Sequence, residues 1–120
     1  MDGQFLRFYV HENQRIHHSL LWEWLLREAN KMGIRGGSAF RAMAGFGSHR
    51  MLREDHFFEL AGTLAIEVQF VVGDEEAARL LDLVQREHIR VFYALIPARF
   101  GVLNPGPGDP APVTPIAVPR

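Results

Sequence analysis

The sequence predicts an α+β domain of the ferredoxin-like kind, βαββαβ, with a four-stranded antiparallel sheet and two helices on one face. Alternating apolar residues mark four extended stretches, and apolar residues at helical spacing mark two more. Their order along the chain is β-α-β-β-α-β. Right-handed crossovers place both helices on the same side of the sheet.

The first strand is read over 4–11, with Leu6, Phe8 and Val10 on one face and Phe5, Arg7, Tyr9 and His11 on the other. A helix follows from about Ile16 to Met32, where Ile16, Leu20, Leu21, Trp24, Leu25, Ala29 and Met32 form one stripe. Trp22 lies off that stripe, at the flank of the core or against a neighbouring subunit. Gly33 sits where a left-handed C′ residue ends a helix, and Ile34 can fold back onto it. The Gly36-Gly37 turn leads to a second strand over about Gly37–Phe46. Its alternation puts Phe40, Ala42, Ala44 and Phe46 on one face and Arg41, Met43 and Gly45 on the other.

Residues 47–61 form a long connection whose middle, Arg53-Glu54-Asp55, has no apolar period. Connections of that length in small domains are usually functional, mobile, or both. The third strand, about Thr63–Val72, alternates Leu64, Ile66, Val68, Phe70 and Val72 with Ala65, Glu67, Gln69 and Val71. Asp74 is an N-cap candidate for a second helix running to about His88, with Ala77, Leu80, Leu81 and Val84 inward. The fourth strand spans Ile89–Ala98. The domain division is therefore 1–101, followed by a flexible tail over 102–120. Six of the seven prolines fall in 105–119, which removes too many backbone donors for a helix or sheet.

Composition excludes several function classes. A net charge of -1 provides no basic field for nucleic acid. The absence of Cys rules out disulfides and thiolate chemistry, and suits a cytoplasmic setting. No signal-peptide pattern opens the sequence and no apolar run is long enough for membrane insertion.

The helix-free face of such a sheet would carry Tyr9, Met43, Val71 and Tyr93, with Arg41 and Glu67 as a cross-strand pair that fixes subunit packing. That much apolar surface predicts self-association. The candidate ligand site is Gly45-Phe46-Gly47-Ser48-His49-Arg50, with Arg53 beyond it. The stretch is neither a dinucleotide fingerprint nor a P-loop, because Arg50 stands where a third glycine would and no Lys-Ser/Thr end follows. Free backbone amides with Ser48, His49 and Arg50 can hold an anion such as phosphate; the competing reading is a bend that aims the loop. The six histidines, His11, His17, His18, His49, His56 and His88, have no helix-face ligand spacing, so no metal site is assigned. Ser48 beside His49 in sequence does not make a hydrolase triad. Nothing in the sequence names a cofactor or an enzymatic constellation.

In this order, Phe8-Tyr9-Val10, Arg15-x-His17, Leu21-x-Glu23, Gly36-Gly37-Ser38-Ala39-Phe40-Arg41, Ala44-Gly45-Phe46-Gly47-Ser48-His49 and Ile66-Glu67-Val68 resemble the PII-like proteins of unknown function, relatives of the nitrogen-regulatory PII signalling proteins. The resemblance covers about residues 5–100. It departs at His18-Ser19-Leu20, where a Gly-Lys-Pro-like turn is the pattern, and the proline-rich tail lies outside it. It implies a homotrimer with sheets facing a central axis. The 47–61 connection would be a T-loop contacting a protein partner, such as a membrane transporter or an enzyme. A small ligand, an adenine nucleotide or another anion, would bind at subunit clefts near Gly45–Arg50, with His17 a further contact. Recognisable PII nucleotide signatures are absent, so nucleotide binding is implied by architecture alone. Two alternatives are a divalent-metal-responsive trimer using the histidines and a scaffold without ligand.

Overall fold

A computed structural model describes residues 1–45 and 65–115 of the 120-residue chain. Its main sheet is built from β1 (Asp2–His11), β4 (Ser38–Arg41), β5 (Ala65–Gly73) and β6 (Phe92–Arg99). A two-stranded hairpin, β2 (Arg15–Ile16) with β3 (Ser19–Leu20), precedes helix α1 (Leu21–Lys31), and α2 (Asp74–Arg86) joins β5 to β6. The sheet order is β4-β5-β1-β6 with every neighbouring pair antiparallel, which is the predicted ferredoxin-like topology.

The core lies between the sheet and the two helices. Leu6, Phe8 and Val10 of β1 and Ile66, Val68, Phe70 and Val72 of β5 point to one face, as the period of two requires. They meet Leu21, Trp24, Leu25 and Ala29 of α1 and Ala77, Leu80 and Val84 of α2. Phe8 and Phe70 pack edge to face at 6.3 Å between ring centroids. Trp22 is partly buried at the flank of this cluster.

Helix α1 ends as its sequence predicts. Gly33 adopts φ 83°, its N–H reaches the Asn30 carbonyl at 3.1 Å, and the Ile34 N–H reaches the Ala29 carbonyl at 3.2 Å. These two bonds are a Schellman closure, and buried Ile34 supplies its hydrophobic contact.

The start of α1 differs from expectation. Residues 16–20 form the tight hairpin rather than a first helical turn, with His17 and His18 both left-handed at φ 47° and 66°. Two consecutive positive φ values match the twist of a two-residue hairpin loop. Ile16 still packs against the core, and this contact mimics helical spacing. At α2 the N-cap is Gly73, not Asp74; Glu76 Oε1 accepts the Gly73 N–H at 3.0 Å. Asp74 instead accepts a hydrogen bond from Gln4 Nε2 at 3.0 Å.

The second long strand is shorter than predicted and turned over. Phe40 lies opposite Glu67 and Arg41 opposite Ile66, so Phe40 shares the helix-free face with Tyr9 and Glu67, while Arg41 is on the helix side. The pairing of Arg41 with Glu67 is therefore corrected: Arg41 forms an ion pair with Glu12, and Glu67 accepts a hydrogen bond from Gln69. Met43 lies beyond β4 and is almost fully exposed. Tyr93 lies opposite Phe8 on the helix side; its neighbour Phe92 is the residue on the helix-free face, with its ring 5.5 Å from that of Tyr9.

The proline-rich segment forms neither helix nor strand over its described part, 101–115. It turns back so that the Val102 N–H meets the Pro110 carbonyl at 3.0 Å, and Arg35 binds the Gly108 carbonyl at 3.1 Å and pairs with Asp109.

Candidate functional site

The candidate site lies at the end of the sheet where β1 and β4 finish and β5 begins. There the ladder is closed by Arg41 opposite Ile66 and by the Ala42 N–H donating to the Ala65 carbonyl at 2.9 Å. The chain between residues 42 and 65 thus leaves and re-enters through a pinned base. Its interior, including Phe46, Gly47, Ser48, His49, Arg50, Arg53 and His56, lies outside the described residues. Gly45 is the last described residue before it. Among the described residues, nothing comes within 4 Å of a Cβ built on Gly45.

Charged groups gather around that base. The Arg41 guanidinium pairs with the Glu12 carboxylate just past β1. His17, on the hairpin, places Nε2 2.9 Å from Glu87 Oε2 at the end of α2, with its ring 6.3 Å from that of Trp24. Arg15 donates to the His18 carbonyl at 2.9 Å across the same hairpin. His17 is thus held by Glu87, and Nδ1 is the nitrogen through which it could meet a ligand.

Glu12 and Glu87 were not singled out from sequence. Glu87 carried a signal, because an acidic residue at a helix C-terminus opposes the helix dipole and so points to a partner elsewhere. Glu12 carried none, since a glutamate in a polar connection is ordinary.

Among the described residues, no group of three or more His, Asp or Glu side chains could hold a metal ion. Two open hollows of about 340 and 410 Å³ lie elsewhere. One is between α1 and α2 beside Lys31 and Arg79, and the other is at the far sheet end beside Asp2 and Arg99. Neither takes in His17 or Gly45. The described helices include none long and apolar enough to cross a membrane.

Comparison with known proteins follows the same architecture. The UPF0166 protein of Aquifex aeolicus (strain VF5) is 27% identical over 85 residues, spanning 71% of this chain and 81% of that protein. A crystal structure from Thermus thermophilus, described as that of a candidate PII-like signalling protein, superposes with a TM-score of 0.57 at 21% identity. The match covers 82% of this chain and 88% of the other. At that identity the likeness is one of fold. Residues 3–92 match the family described as Uncharacterized ACR, DUF190. With a match over three quarters of its length, this chain belongs to the DUF190 family.

Proposed function

We propose that the protein is a non-catalytic, ligand-responsive regulator that works as a homotrimer, with residues 1–101 as the functional unit and 102–120 as an appended segment. The observation that carries this reading is the pinned base of the 42–65 connection: a long excursion from a closed ladder, flanked by Arg41–Glu12 and His17–Glu87. A rigid base with a long excursion suits a segment that changes state while the fold does not. The Thermus fold relative, described as a candidate PII-like signalling protein, supports the class.

In this reading a small anion, an adenine nucleotide first among the candidates, binds between subunits near Gly45–Arg50. Glycine backbones allow close approach, Arg50 and Arg53 neutralise charge, and Ser48, His49 and His17 add polar contacts. Binding shifts the population of 47–61 towards one arrangement, and that arrangement sets affinity for a protein partner, a transporter or an enzyme.

The test is calorimetric titration of the intact protein with ATP, ADP, AMP and inorganic phosphate, repeated on Arg50→Ala. A charge-assisted hydrogen bond is worth about 1.5–3 kcal/mol, so the variant should bind roughly 10- to 100-fold more weakly at unchanged oligomeric state. Absence of binding by any of the four would refute the anion site. Equal affinity of wild type and variant would remove Arg50 from it.

A further inference from the structure

The two helices leave a groove between them, on the side of the molecule away from the sheet. Glu28, Lys31 and Met32, at and just past the end of α1, share a face at i, i+3, i+4 spacing. On α2, Arg79, Asp82, Leu83 and Arg86 keep the same spacing through two turns. These two stripes line the hollow of about 340 Å³, which falls within the roughly 300–1,000 Å³ of small-molecule sites. Its apolar side is Met32 and Leu83, both half-buried because each also packs against the core. Methionine makes an adaptable wall, since its unbranched thioether chain follows the shape of what lies against it.

Five charged residues ring that apolar side, and four of them are matched. Lys31 Nζ lies 3.2 Å from Glu28 Oε2 on α1, and Arg86 Nε lies 3.0 Å from Asp82 Oδ2 on α2. Each pair runs along its own helix, so neither reaches across the groove. Arg79 is the fifth charge. Among the described residues no carboxylate pairs with it, and its hydrogen bond goes to the Met32 carbonyl at the end of α1, at 3.4 Å. That is longer than the about 2.7–3.2 Å of an ordinary N–H···O bond. A guanidinium carries a fork of donors, and one long bond to a carbonyl leaves most of that fork unused.

We propose that this groove binds a small amphipathic carboxylate, its carboxylate on the Arg79 guanidinium and its hydrocarbon body over Met32 and Leu83. The surplus of one cation over two matched pairs selects a single negative charge. A carboxylate meets the guanidinium fork with two parallel hydrogen bonds, a geometry that an ammonium or a hydroxyl cannot copy. A neutral molecule of the same shape gains the apolar contact alone, and a cationic one meets Arg79 with like charge. The hollow shares no residue with the anion site proposed above, so the two sites stand or fall separately.

Three probes that differ only in the head group test it: octanoate, octan-1-ol and octylamine. Each is titrated into the intact protein and followed by amide proton–nitrogen correlation spectra, for wild type and Arg79→Gln. Octanoate should shift the amides of 28–32 and 79–86 saturably, with octanol roughly 5- to 20-fold weaker at the same amides and octylamine not saturating there. Arg79→Gln should bring octanoate down to the affinity of octanol and leave octanol itself unchanged. A residue with a merely structural role would weaken both probes together. Arg79 is exposed, so the variant should keep the fold; if its melting temperature falls, Arg79→Lys replaces it and should still lose most of the preference for octanoate.

Octanol or octylamine binding as tightly as octanoate would overturn the carboxylate assignment. Shifts that scatter over the surface, or that never saturate, would overturn the groove as a site. Octanoate affinity unchanged in Arg79→Gln would remove Arg79 and the proposal with it. None of these results touches the nucleotide and phosphate titrations above, which test the other site.

Discussion

Gly36 and Gly37 are adjacent and identical in sequence, yet the fold treats them differently, and replacing each with alanine separates packing from backbone entropy. A Cβ on Gly37 would lie 2.4 Å from Phe70 Cε1, 2.7 Å from Phe70 Cδ1 and 3.1 Å from Leu26 Cδ2. The Phe70 ring cannot retreat, because it is 1% exposed and packed edge to face on Phe8. Overpacking of this kind costs about 1–3 kcal/mol. The restricted unfolded chain of the alanine variant returns about 0.4–1 kcal/mol. A net loss of roughly 1–2 kcal/mol should lower the melting temperature by roughly 4–10 °C. At Gly36 nothing comes within 4 Å of the added carbon. Gly36→Ala should therefore leave the midpoint unchanged or raise it by a few degrees. Thermal unfolding of both variants, monitored by tryptophan fluorescence, measures the difference. A Gly37→Ala midpoint equal to that of Gly36→Ala would refute the argument that β4 is seated by contact of a bare backbone with Phe70.

Two further substitutions probe other parts of the molecule. Leu25→Ala empties a fully buried position on α1 and should cost about 2–5 kcal/mol in urea unfolding; a loss under ~1 kcal/mol would mean that α1 is not seated as described. Asp109→Ala removes the pair with Arg35 and the acceptor, Oδ2, for the Gly106 N–H at 2.8 Å. Since Arg35 is half exposed and screened, global stability should fall by no more than about 1 kcal/mol, while amide exchange over 102–115 accelerates. Unchanged exchange there would show that Asp109 does not hold the segment.

The sequence spoke most clearly where burial and period agreed. Strands β1 and β5 alternate cleanly because one face is packed by helices, and the Gly33-Ile34 ending of α1 requires a left-handed residue followed by a buried one. It misled where apolar side chains sit on a face without helices. Phe40 looks like a core residue in the alternation, but it lies opposite Glu67 on the helix-free face, and the inward positions of β4 are Ala39 and Arg41. Gly37, just ahead of the strand, is kept small by the volume that Phe70 and Leu26 already fill. An edge strand of four residues gives too short a pattern to outvote one phenylalanine. Likewise Ile16 imitates a helical position from a hairpin, because a core contact carries no record of the backbone that delivers it. Of the candidate ligand residues, Gly45 and His17 are the two within the described chain. Sequence reasoning did not single out the Glu87 that holds His17.

The pairing of Met1 with Phe100 has a practical consequence. The Met1 amino group donates to the Phe100 carbonyl at 2.8 Å and the Phe100 N–H returns a bond to the Met1 carbonyl at 3.0 Å, so residues 1 and 100 lie side by side. Both sit at the sheet end opposite the 42–65 connection, one length of β1 away, or roughly 30 Å for a ten-residue strand. A fluorophore joined ahead of residue 1 would therefore report from a fixed point of the sheet, and a second one placed within 47–61 would report from the connection. The fold in effect supplies a fixed arm and a pivot, and a ligand that repositions the connection could be read as a change in colour.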